Sequence, residues 1–499
     1  YKNLPAGDDF NVLKFEGISA ECEIYINGKL ICRHLGAYKV FEVELSNLDE
    51  SRENLLAVKV TDKNTLTQLN EEDDRSFNKS PRYVTWPVPM GSSLQSGGIW
   101  RNVWLRKKRD ATMETPRVST CFNKLTIIPE SAESGTLSFK LFYEDAVVAE
   151  KSAEATAETV EMFLNSYHET WPLKPALYRL ETSLLDSDGN INQVISQPVT
   201  FFDFCVRNSE FYVNGIPYFL RGQNGFPHCN VPHDAEYIKK FVSKIVDQKV
   251  EISRFHTEPP SHAWLDECDR QGIMVIFEMA LHGSFGCYAY ENKEFQKTVI
   301  NEMISLVKEY RRHPSIVMWS LGNEMIVSCE RDIGLGKPLF NVLDGWINEL
   351  RELDSRPVIA NSGSDAANLE PKSVGDVDDV HQYGGWYVEN LRDLRHFGQF
   401  TNKNDIFFNE GEFNPQCEAG QRQPGSSFRK RQVQIFIRID GRVRQRPERC
   451  PGRLSKSRIF CQSHSANSIN NRFSAAQCGD GCQVMHVGVP LLGPQNERR

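Results

Sequence analysis

Long apolar segments are absent from this sequence, and so are several common ligand-binding motifs. A membrane-spanning helix needs about 20 consecutive apolar residues, and the apolar runs here are shorter. The thirteen cysteines form no C-x-x-C pair and no cysteine and histidine set of the kind that binds zinc. No glycine-rich phosphate loop follows a predicted strand, and the net charge of −8 argues against a nucleic-acid partner. We therefore expect no membrane, nucleic-acid or metal partner and no organic cofactor.

The composition is typical of a globular protein with more than one domain. The chain has 499 residues, of which 40% are hydrophobic and 25% charged, and this length suits two or three domains. Its first residues, YKNLPAGDDF, show neither an initiating methionine nor the segments of a signal peptide. We expect that an N-terminal part is missing, which leaves open whether the protein is cytoplasmic or secreted or periplasmic. The sequence also leaves open whether it forms a homo-oligomer.

The first two hundred residues alternate apolar and polar positions with a period of two. Asn27-Gly28 separates two such runs and is a strong signal for a tight β-hairpin. The same pattern continues from about residue 112 to 205 in short strands divided by turns. It predicts two antiparallel β-sandwiches, in domains 1–108 and 109–205, and the second has the size of an immunoglobulin-like domain.

From about residue 206 strand-length apolar runs alternate with amphipathic segments. We predict helices near 234–247, 261–271, 293–311 and 339–353, each between two apolar runs. Repeated βα units imply a parallel sheet, and seven candidate strands favour a (β/α)8 TIM barrel over an open sheet. The predicted barrel domain covers 206–415, and its eighth strand is missing.

The last segment, 416–499, has a different composition from the rest of the chain. It contains none of the eight Trp and none of the fifteen Tyr residues, and nearly all its basic residues are Arg. An Arg-rich tail that binds an acidic partner is one interpretation. Disorder is a second, and out-of-frame translation that replaced the original C-terminus is a third, which we favour. On each interpretation we expect no fold here.

Catalytic groups of a TIM barrel lie at the carboxyl ends of its strands, so we collected polar residues that end the apolar runs. They are Arg254, His256, Glu278, Asn323, Glu324, His381, Tyr383, Glu410 and Glu412. Glu324 and the two later glutamates end strands four and seven, which can direct two carboxylates into one mouth. Such a pair suits cleavage of a glycosidic bond, in which one carboxyl donates a proton while the other stays ionised.

Two further residues of this region have more than one interpretation. Glu278 either contacts the substrate or lines the barrel behind the site. Trp386, in the segment HQYGGWY, either stacks on a sugar or packs as an ordinary aromatic side chain.

The motifs together resemble glycoside hydrolase family 2, which includes β-galactosidases, β-glucuronidases and β-mannosidases. KFEGISAECEIYINGK and GGIWRNVWL are similar to the jelly-roll-like sugar-binding sandwich of that family, and WPLKPALYRLETSLLD resembles its immunoglobulin-like domain. FYVNGIPYFLRGQN, ISRFHTEPPSHAWLDECDRQGIMVIFE and HPSIVMWSLGNE resemble its TIM barrel. The resemblance covers about residues 10–415. It implies a multidomain protein with two β-sandwiches and a (β/α)8 barrel that is incomplete at strand 8.

The resemblance also implies roles for particular residues. Glu324 matches the acid/base of the family, and Asn323 matches the amide that binds the sugar 2-hydroxyl. Glu412 fits the family pattern for the nucleophile better than Glu410, although Glu410 stays an alternative. Tyr383 resembles the tyrosine that hydrogen-bonds to the nucleophile.

The remaining substrate contacts follow the family less closely. Arg254 and His256 resemble a substrate motif of the second strand, with a shorter spacing than usual, and the GEF triplet is followed by Asn414 where a glycine is usual. The implied function is that of a retaining β-glycosidase acting on a carbohydrate substrate, most readily a β-galactoside or a β-glucuronide. The alternative is a catalytically inactive carbohydrate-binding fragment of the same architecture.

Overall fold

The structure is a computed structural model, and it describes most of the first 360 residues and short segments beyond them. The described residues are 2–4, 12–45, 48, 54–61, 98–106, 113–131, 135–207, 210–225, 234–281, 292–323, 325, 336–360, 362–363, 375–377, 379–381, 406–409 and 434–437. Three regions follow one another along the chain: two of antiparallel strands and one in which strands alternate with helices.

The first region contains nine strands. They are β1 (Lys2–Leu4), β2 (Val12–Phe15), β3 (Ile18–Ser19), β4 (Glu21–Ile26), β5 (Lys29–Leu35), β6 (Phe41–Glu44), β7 (Asn54–Thr61), β8 (Gly98–Ile99) and β9 (Val103–Arg106). They form sheets in the orders β1-β7-β4-β5 and β6-β2-β9, with the pair β3-β8 beside them. Alternate residues of β2 and β4, among them Phe15 and Ile24, enter one shared hydrophobic core. This explains the period of two in the sequence.

The hairpin between β4 and β5 turns at Asn27-Gly28, as the sequence predicts. Asn27 has φ of 50° and Gly28 has φ of 81°, and positive φ at both central residues is the requirement of a type I′ turn. The Asn27 side chain also accepts a hydrogen bond from the backbone N–H of Leu55 at 2.9 Å. The turn is therefore fixed to the neighbouring strand β7.

The second region contains seven strands in two sheets. They are β10 (Met113–Cys121), β11 (Lys124–Ser131), β12 (Thr136–Tyr143), β13 (Ala146–Glu154), β14 (Val160–Phe163), β15 (Tyr178–Leu185) and β16 (Ile191–Val199). The sheet orders are β10-β11-β14 and β13-β12-β15-β16, and all pairs are antiparallel. Both sheets contribute to one core, with Ile127 from the first and Phe139 and Leu180 from the second.

The third region begins with a small antiparallel sheet and continues with βα units. The sheet consists of β17 (Phe204–Arg207), β18 (Glu210–Val213) and β19 (Ile216–Pro217). The units are β20 (Gly222–Gly225), α1 (Ala235–Asp247), β21 (Ile252–Phe255), α2 (His262–Gln271), β22 (Met274–Glu278), α3 (Lys293–Tyr310), β23 (Ile316–Ser320), α4 (Gly336–Arg351) and β24 (Val358–Ile359). Strands β20 to β24 are parallel neighbours in chain order. The predicted parallel sheet and the four predicted helices are confirmed.

Local sequence explains where these helices begin and end. The side chain of Asp234 accepts a hydrogen bond from the N–H of Tyr237 before α1, and Asn292 caps α3 in the same way. Helix α2 ends at Gly272, whose φ of +73° suits a left-handed cap. A Cβ atom at Gly272 would come within 2.8 Å of Pro175, since the second region packs at this point.

The later strands continue the parallel order and then reverse it. They are β25 (Ser362–Gly363), β26 (Asp379–His381), β27 (Ile406–Asn409) and β28 (Gln434–Ile437). The predicted fifth run divides into β24, which pairs with β23, and β25, which pairs in parallel with β26. β26 and β27 are also parallel, whereas β28 is antiparallel to β27. The segment 416–499, for which we expected no fold, therefore contributes one short strand.

The first region is packed against the third by apolar and polar contacts. Ala37, Tyr38 and Trp100 belong to the same buried cluster as the interior of the parallel sheet. Arg101 donates a hydrogen bond to the Tyr310 hydroxyl at 2.8 Å and another to the Pro259 carbonyl. These contacts hold the first region against the third. Among the helices of the described ranges, none is both long and apolar enough to cross a membrane.

Candidate active site

Four neighbouring strands place polar side chains at one edge of the parallel sheet. This edge is formed by the carboxyl ends of β20, β21, β22 and β23. Barrel proteins bind and transform their ligands at this end. The side chains that converge there are buried, and β22 and β23 are apolar up to their last residue.

Arg254 and Glu278 form a fully buried ion pair between the second and third strands. Arg254 donates from Nε to Glu278 Oε2 at 2.7 Å and from Nη2 to Oε1 at 2.9 Å. The two parallel hydrogen bonds use the planar fork of the guanidinium, which matches the geometry of a carboxylate. Both side chains have no exposed surface, so each charge depends on the other for its compensation.

Glu278 accepts two further hydrogen bonds. The backbone N–H of Thr257 donates to Oε1 and the Ser320 hydroxyl donates to Oε2, each at 2.8 Å. Thr257 reaches this position with φ of +49°, an uncommon value for a threonine. Four donors thus surround the carboxylate, and its orientation is determined by three strands and the turn after β21.

Asn323 is held at the same edge by Arg254. Nη2 of Arg254 donates to Oδ1 of Asn323 at 2.6 Å, and the Asn323 backbone N–H donates to the Leu281 carbonyl at 2.9 Å. The preceding Gly322 makes this approach feasible, because a Cβ atom there would lie 2.7 Å from the Leu281 carbonyl oxygen. Asn323 is therefore fixed through both its side chain and its backbone.

His256 lies beside this network. It is buried, its backbone N–H donates to the Gly225 carbonyl at 3.1 Å, and Nδ1 lies 3.2 Å from the Thr257 hydroxyl. Arg254 also donates to Oδ1 of Asn224 at 3.4 Å, at the end of the first strand. Asn224 thus adds a second amide side chain to this edge of the sheet.

The structure brings together four of the residues predicted from the sequence. Arg254, Glu278 and Asn323 share one hydrogen-bonded network, with His256 next to it. His381 is the last residue of β26. The other predicted site residues lie outside the described residues; they are Glu324, Tyr383, Trp386, Glu410 and Glu412. Their roles stay predictions.

Sequence reasoning missed three members of the network. Asn224 ends the first apolar run and follows the same rule that selected Arg254, so it could have been found. Ser320 and Thr257 gave no such signal, because a single hydroxyl inside or after a strand is common. The Ser320 contribution depends on the register between β22 and β23, in which Glu278 lies opposite Ser320, and the Thr257 contribution depends on its positive φ.

One group in the described ranges has the composition of a metal site. Asp266, Asp269 and His313 bring three potential ligand atoms within 4.8 Å of one another. His313 Nδ1 is already 2.7 Å from Asp269 Oδ2, and Asp266 is exposed. The group therefore contains an ordinary contact between a histidine and a carboxylate, and we assign no metal to it.

The fold and the buried network define a class of protein. In this class a domain of the βα-barrel type follows antiparallel β-regions and carries its polar site at the strand ends. Residues 204–405 match the family model described as glycosyl hydrolases family 2, TIM barrel domain. Over these residues the chain is similar to the barrel domain of glycoside hydrolase family 2.

The most informative relatives are enzymes of two specificities. The chain is 26% identical to a β-glucuronidase of Felis catus over 393 residues, which are 73% of this chain and 58% of the relative. It is 24% identical to a β-galactosidase of Alteromonas mediterranea over 383 residues, 71% of this chain and 34% of the relative. The chain thus spans between about a third and three fifths of the length of these relatives.

Solved structures share the fold. The structure matches β-glucuronidase 3 of Bacteroides uniformis with a TM-score of 0.63 and 20% identity, over 79% of this chain and 50% of the other. A β-glucuronidase of Ruminococcus gnavus gives a TM-score of 0.63 at 15% identity, over 80% of this chain and 69% of the other. At these identities the likeness concerns the fold.

Proposed function

We propose that this protein is a retaining β-glycosidase that hydrolyses terminal β-glycosides by double displacement. The proposed substrate is a β-galactoside or a β-glucuronide, which are the specificities in the names of its relatives. In the same family architecture, residues 1–108 would form the jelly-roll-like sugar-binding sandwich. Residues 109–205 would form the immunoglobulin-like sandwich.

The observation that carries the proposal is the fixed position of Asn323. Arg254, itself held by Glu278, bonds to the Asn323 side chain, and Leu281 bonds to its backbone. Asn323 directly precedes Glu324 in the sequence. A site in which the supporting groups are already oriented loses little free energy to reorganisation during the reaction. This supports Asn323 as a ligand of the sugar 2-hydroxyl and Glu324 as its catalytic neighbour.

In the proposed mechanism two carboxyl groups take opposite protonation states. Glu324 donates its proton to the leaving oxygen, while ionised Glu412 attacks the anomeric carbon and forms a glycosyl-enzyme. Glu324, now ionised, removes a proton from water, which attacks the same carbon and releases Glu412. The net configuration is retained because two inversions occur. Glu410 is the alternative nucleophile.

The remaining predicted residues would bind and orient the sugar. We propose that Tyr383 donates a hydrogen bond to the nucleophile, that His256 binds a hydroxyl group and that Trp386 offers a ring for stacking. Arg254 and Glu278 would act mainly by positioning Asn323, since the guanidinium of Arg254 already donates hydrogen bonds to Glu278 and Asn323. A direct contact of Glu278 with substrate stays a prediction.

Hydrolysis of a panel of aryl β-glycosides tests this proposal. The purified chain should release the aryl group from one sugar of the panel, and Glu324→Gln should lower kcat by about 100-fold or more. One of Glu412→Gln and Glu410→Gln should abolish turnover and thereby identify the nucleophile. Glu349→Gln, on the exposed face of α4, is a matched control that should leave turnover unchanged.

A second candidate is a carbohydrate-binding protein without turnover. It is favoured by the strand that follows β27 in the described part of the chain, because β28 is antiparallel where a closed (β/α)8 barrel has a parallel strand. A folded chain that binds a sugar but hydrolyses none, with binding unaffected by Glu324→Gln, would establish this function instead.

A further inference from the structure

A cavity of about 350 Å³ lies at the opposite end of the sheet from the candidate active site. One wall is formed by β10 and β16 of the second region, through residues such as Val118 and Gln197. The other is formed by the amino-terminal ends of β23 and β24, through Ile316 and Arg356. Its volume lies within the range of pockets that hold small organic ligands.

The lining of this cavity is rich in arginine. Five arginines line it against two aspartates, Asp203 and Asp354; the arginines are Arg117, Arg311, Arg312, Arg351 and Arg356. Glu130 pairs with Arg117 at 2.9 Å and also with Arg311. Asp376 pairs with Arg351 at 2.7 Å. Including Glu130 and Asp376, the formal charge is 5 − 4 = +1.

Two of these guanidinium groups, which pair with Glu130 and Asp354, are also oriented by backbone carbonyls. Arg311 donates from Nη1 to the Leu353 carbonyl at 3.2 Å, and Arg356 donates to the carbonyls of His313, at 3.3 Å, and of Arg311. Carbonyl groups fix the direction of a guanidinium without cancelling its charge. The arginines are thus arranged in advance, which lowers the entropy lost when an anion binds.

Several buried polar atoms of the lining, two of them on Arg311 and Gln197, have no hydrogen-bond partner within the described ranges. Arg311 is only 6% exposed and its Nε is unpartnered, while Gln197 is 2% exposed and its Oε1 is unpartnered. The Gln197 amide is oriented because Nε2 donates to the Pro116 carbonyl at 3.1 Å. A buried polar atom left without a partner costs about 1–3 kcal/mol, so a ligand that bonds to both is favoured.

We propose that this cavity binds a small organic phosphate that also carries hydroxyl groups. Guanidinium groups recognise the phosphate through paired hydrogen bonds, and Gln197 Oε1 accepts a hydrogen bond from a ligand hydroxyl. The site lies between the second region and the amino-terminal edge of the parallel sheet. It therefore binds independently of the carboxyl-end site at which hydrolysis is proposed.

Calorimetric titration of the full chain with glucose 6-phosphate tests the proposal, with glucose and inorganic phosphate as matched ligands. We expect glucose 6-phosphate to bind more tightly than inorganic phosphate, and glucose to bind at least about tenfold more weakly. The double variant Arg117→Gln/Arg351→Gln should weaken binding at least about tenfold. These two side chains are 36% and 40% exposed, so their replacement should leave the fold intact.

The control variant is Arg33→Gln, which removes an exposed arginine of the first region. It should bind glucose 6-phosphate as the unmodified chain does. Three results would overturn the proposal: no binding by the folded chain at about 10 mM ligand, equal binding of glucose, or equal loss in the Arg33→Gln and double variants.

Discussion

Two fully buried glutamates of the βα region have opposite surroundings. Glu278 accepts hydrogen bonds from four donors, two of them on Arg254. Glu302, on α3 beneath the first region, makes no well-aligned hydrogen bond within the described part of the chain. Burial raises the pKa of Glu302 to about 8, although Lys39, the Tyr38 backbone N–H and Arg101 lower it in part.

This comparison shows how the same side chain serves two purposes in one domain. A buried carboxylate is stable as an ion only when a partner replaces the water that it has lost. Glu278 has such a partner in Arg254, which also donates a hydrogen bond to Asn323 and so fixes its position. Glu302 is instead protonated at neutral pH, and it contacts the region around Gly36, where its Oε2 would lie 2.8 Å from an added Cβ. We expect Glu278 to support the candidate active site. We expect Glu302 to make the packing of the first region against α3 depend on pH.

The largest effect is expected from breaking the Glu278 ion pair. Glu278→Gln leaves the Arg254 guanidinium buried without a countercharge, which should lower the free energy of unfolding by about 3–5 kcal/mol. Urea denaturation monitored by Trp fluorescence measures the change. Glu42→Gln removes an exposed partner of Arg106 and should cost about 1 kcal/mol or less. Equal losses in both variants would show that burial does not distinguish them.

The second effect concerns the pH dependence of stability through Glu302. Its pKa rises from 4.5 in the unfolded chain to about 8 in the folded one, so the unfolded chain releases this proton first as the pH rises. Its contribution to stability is therefore greatest below pH 4.5 and falls toward pH 8, by at most about 1.4 kcal/mol per pH unit. Glu302→Gln should remove this slope in urea titrations. A variant with the same slope would exclude Glu302 as its source.

Gly322→Ala addresses the position of Asn323 without changing a charge. The new Cβ would lie 2.7 Å from Leu281 Cβ and from the Leu281 carbonyl oxygen, so the segment must move, at a cost of about 1–3 kcal/mol. We expect lower stability and, if Asn323 binds substrate, a raised KM or lowered kcat. Gly345→Ala in α4, where no atom lies within 4 Å of the new Cβ, should instead stabilise by about 0.5–1 kcal/mol. Matching results for the two variants would contradict the steric argument.

The smallest effect is expected at Lys14, which joins the first region to α3 through Glu309 at 2.7 Å. Burial alone would raise the pKa of Glu309, but hydrogen bonds from His262 and Lys14 hold it at about 2. This contribution to stability is present above pH 4.5 and is lost as the pH falls toward 2. Lys14→Met should cost about 1 kcal/mol at pH 7 and less at pH 3, as measured by urea denaturation. A cost that grows at low pH would contradict this assignment.

The sequence predicts much of the architecture because its periodicity is set by one-sided burial. The helical segments predicted near 293–311 and 339–353 correspond to α3 and α4, and the Asn27-Gly28 turn lies where the pattern requires. The rule that polar residues end buried strands selects Arg254, Glu278 and Asn323. The carboxyl ends of parallel strands meet at one edge of the sheet. Because these strands are also neighbours in chain order, residues that end successive strands lie next to one another.

Other features depend on contacts that one segment cannot reveal. Glu302 occupies a helix of ordinary amphipathic sequence, and it is buried because the first region covers that face. The bonds of Ser320 and Thr257 to Glu278 require a particular register and a positive φ. The arginine-lined cavity arises between two regions whose relative position no single motif encodes.

The central claim is that a carboxylate after β27 attacks the sugar, and covalent trapping tests it most directly. The full chain would be incubated with 2-deoxy-2-fluoro-β-glycosyl fluorides of glucuronic acid and galactose, since the 2-fluoro group slows hydrolysis of a glycosyl-enzyme. Intact mass and peptide mapping should then show one adduct, on Glu412, that Glu412→Gln abolishes. A folded chain that acquires no adduct with either reagent, or acquires one outside the segment 406–413, would contradict the proposed mechanism.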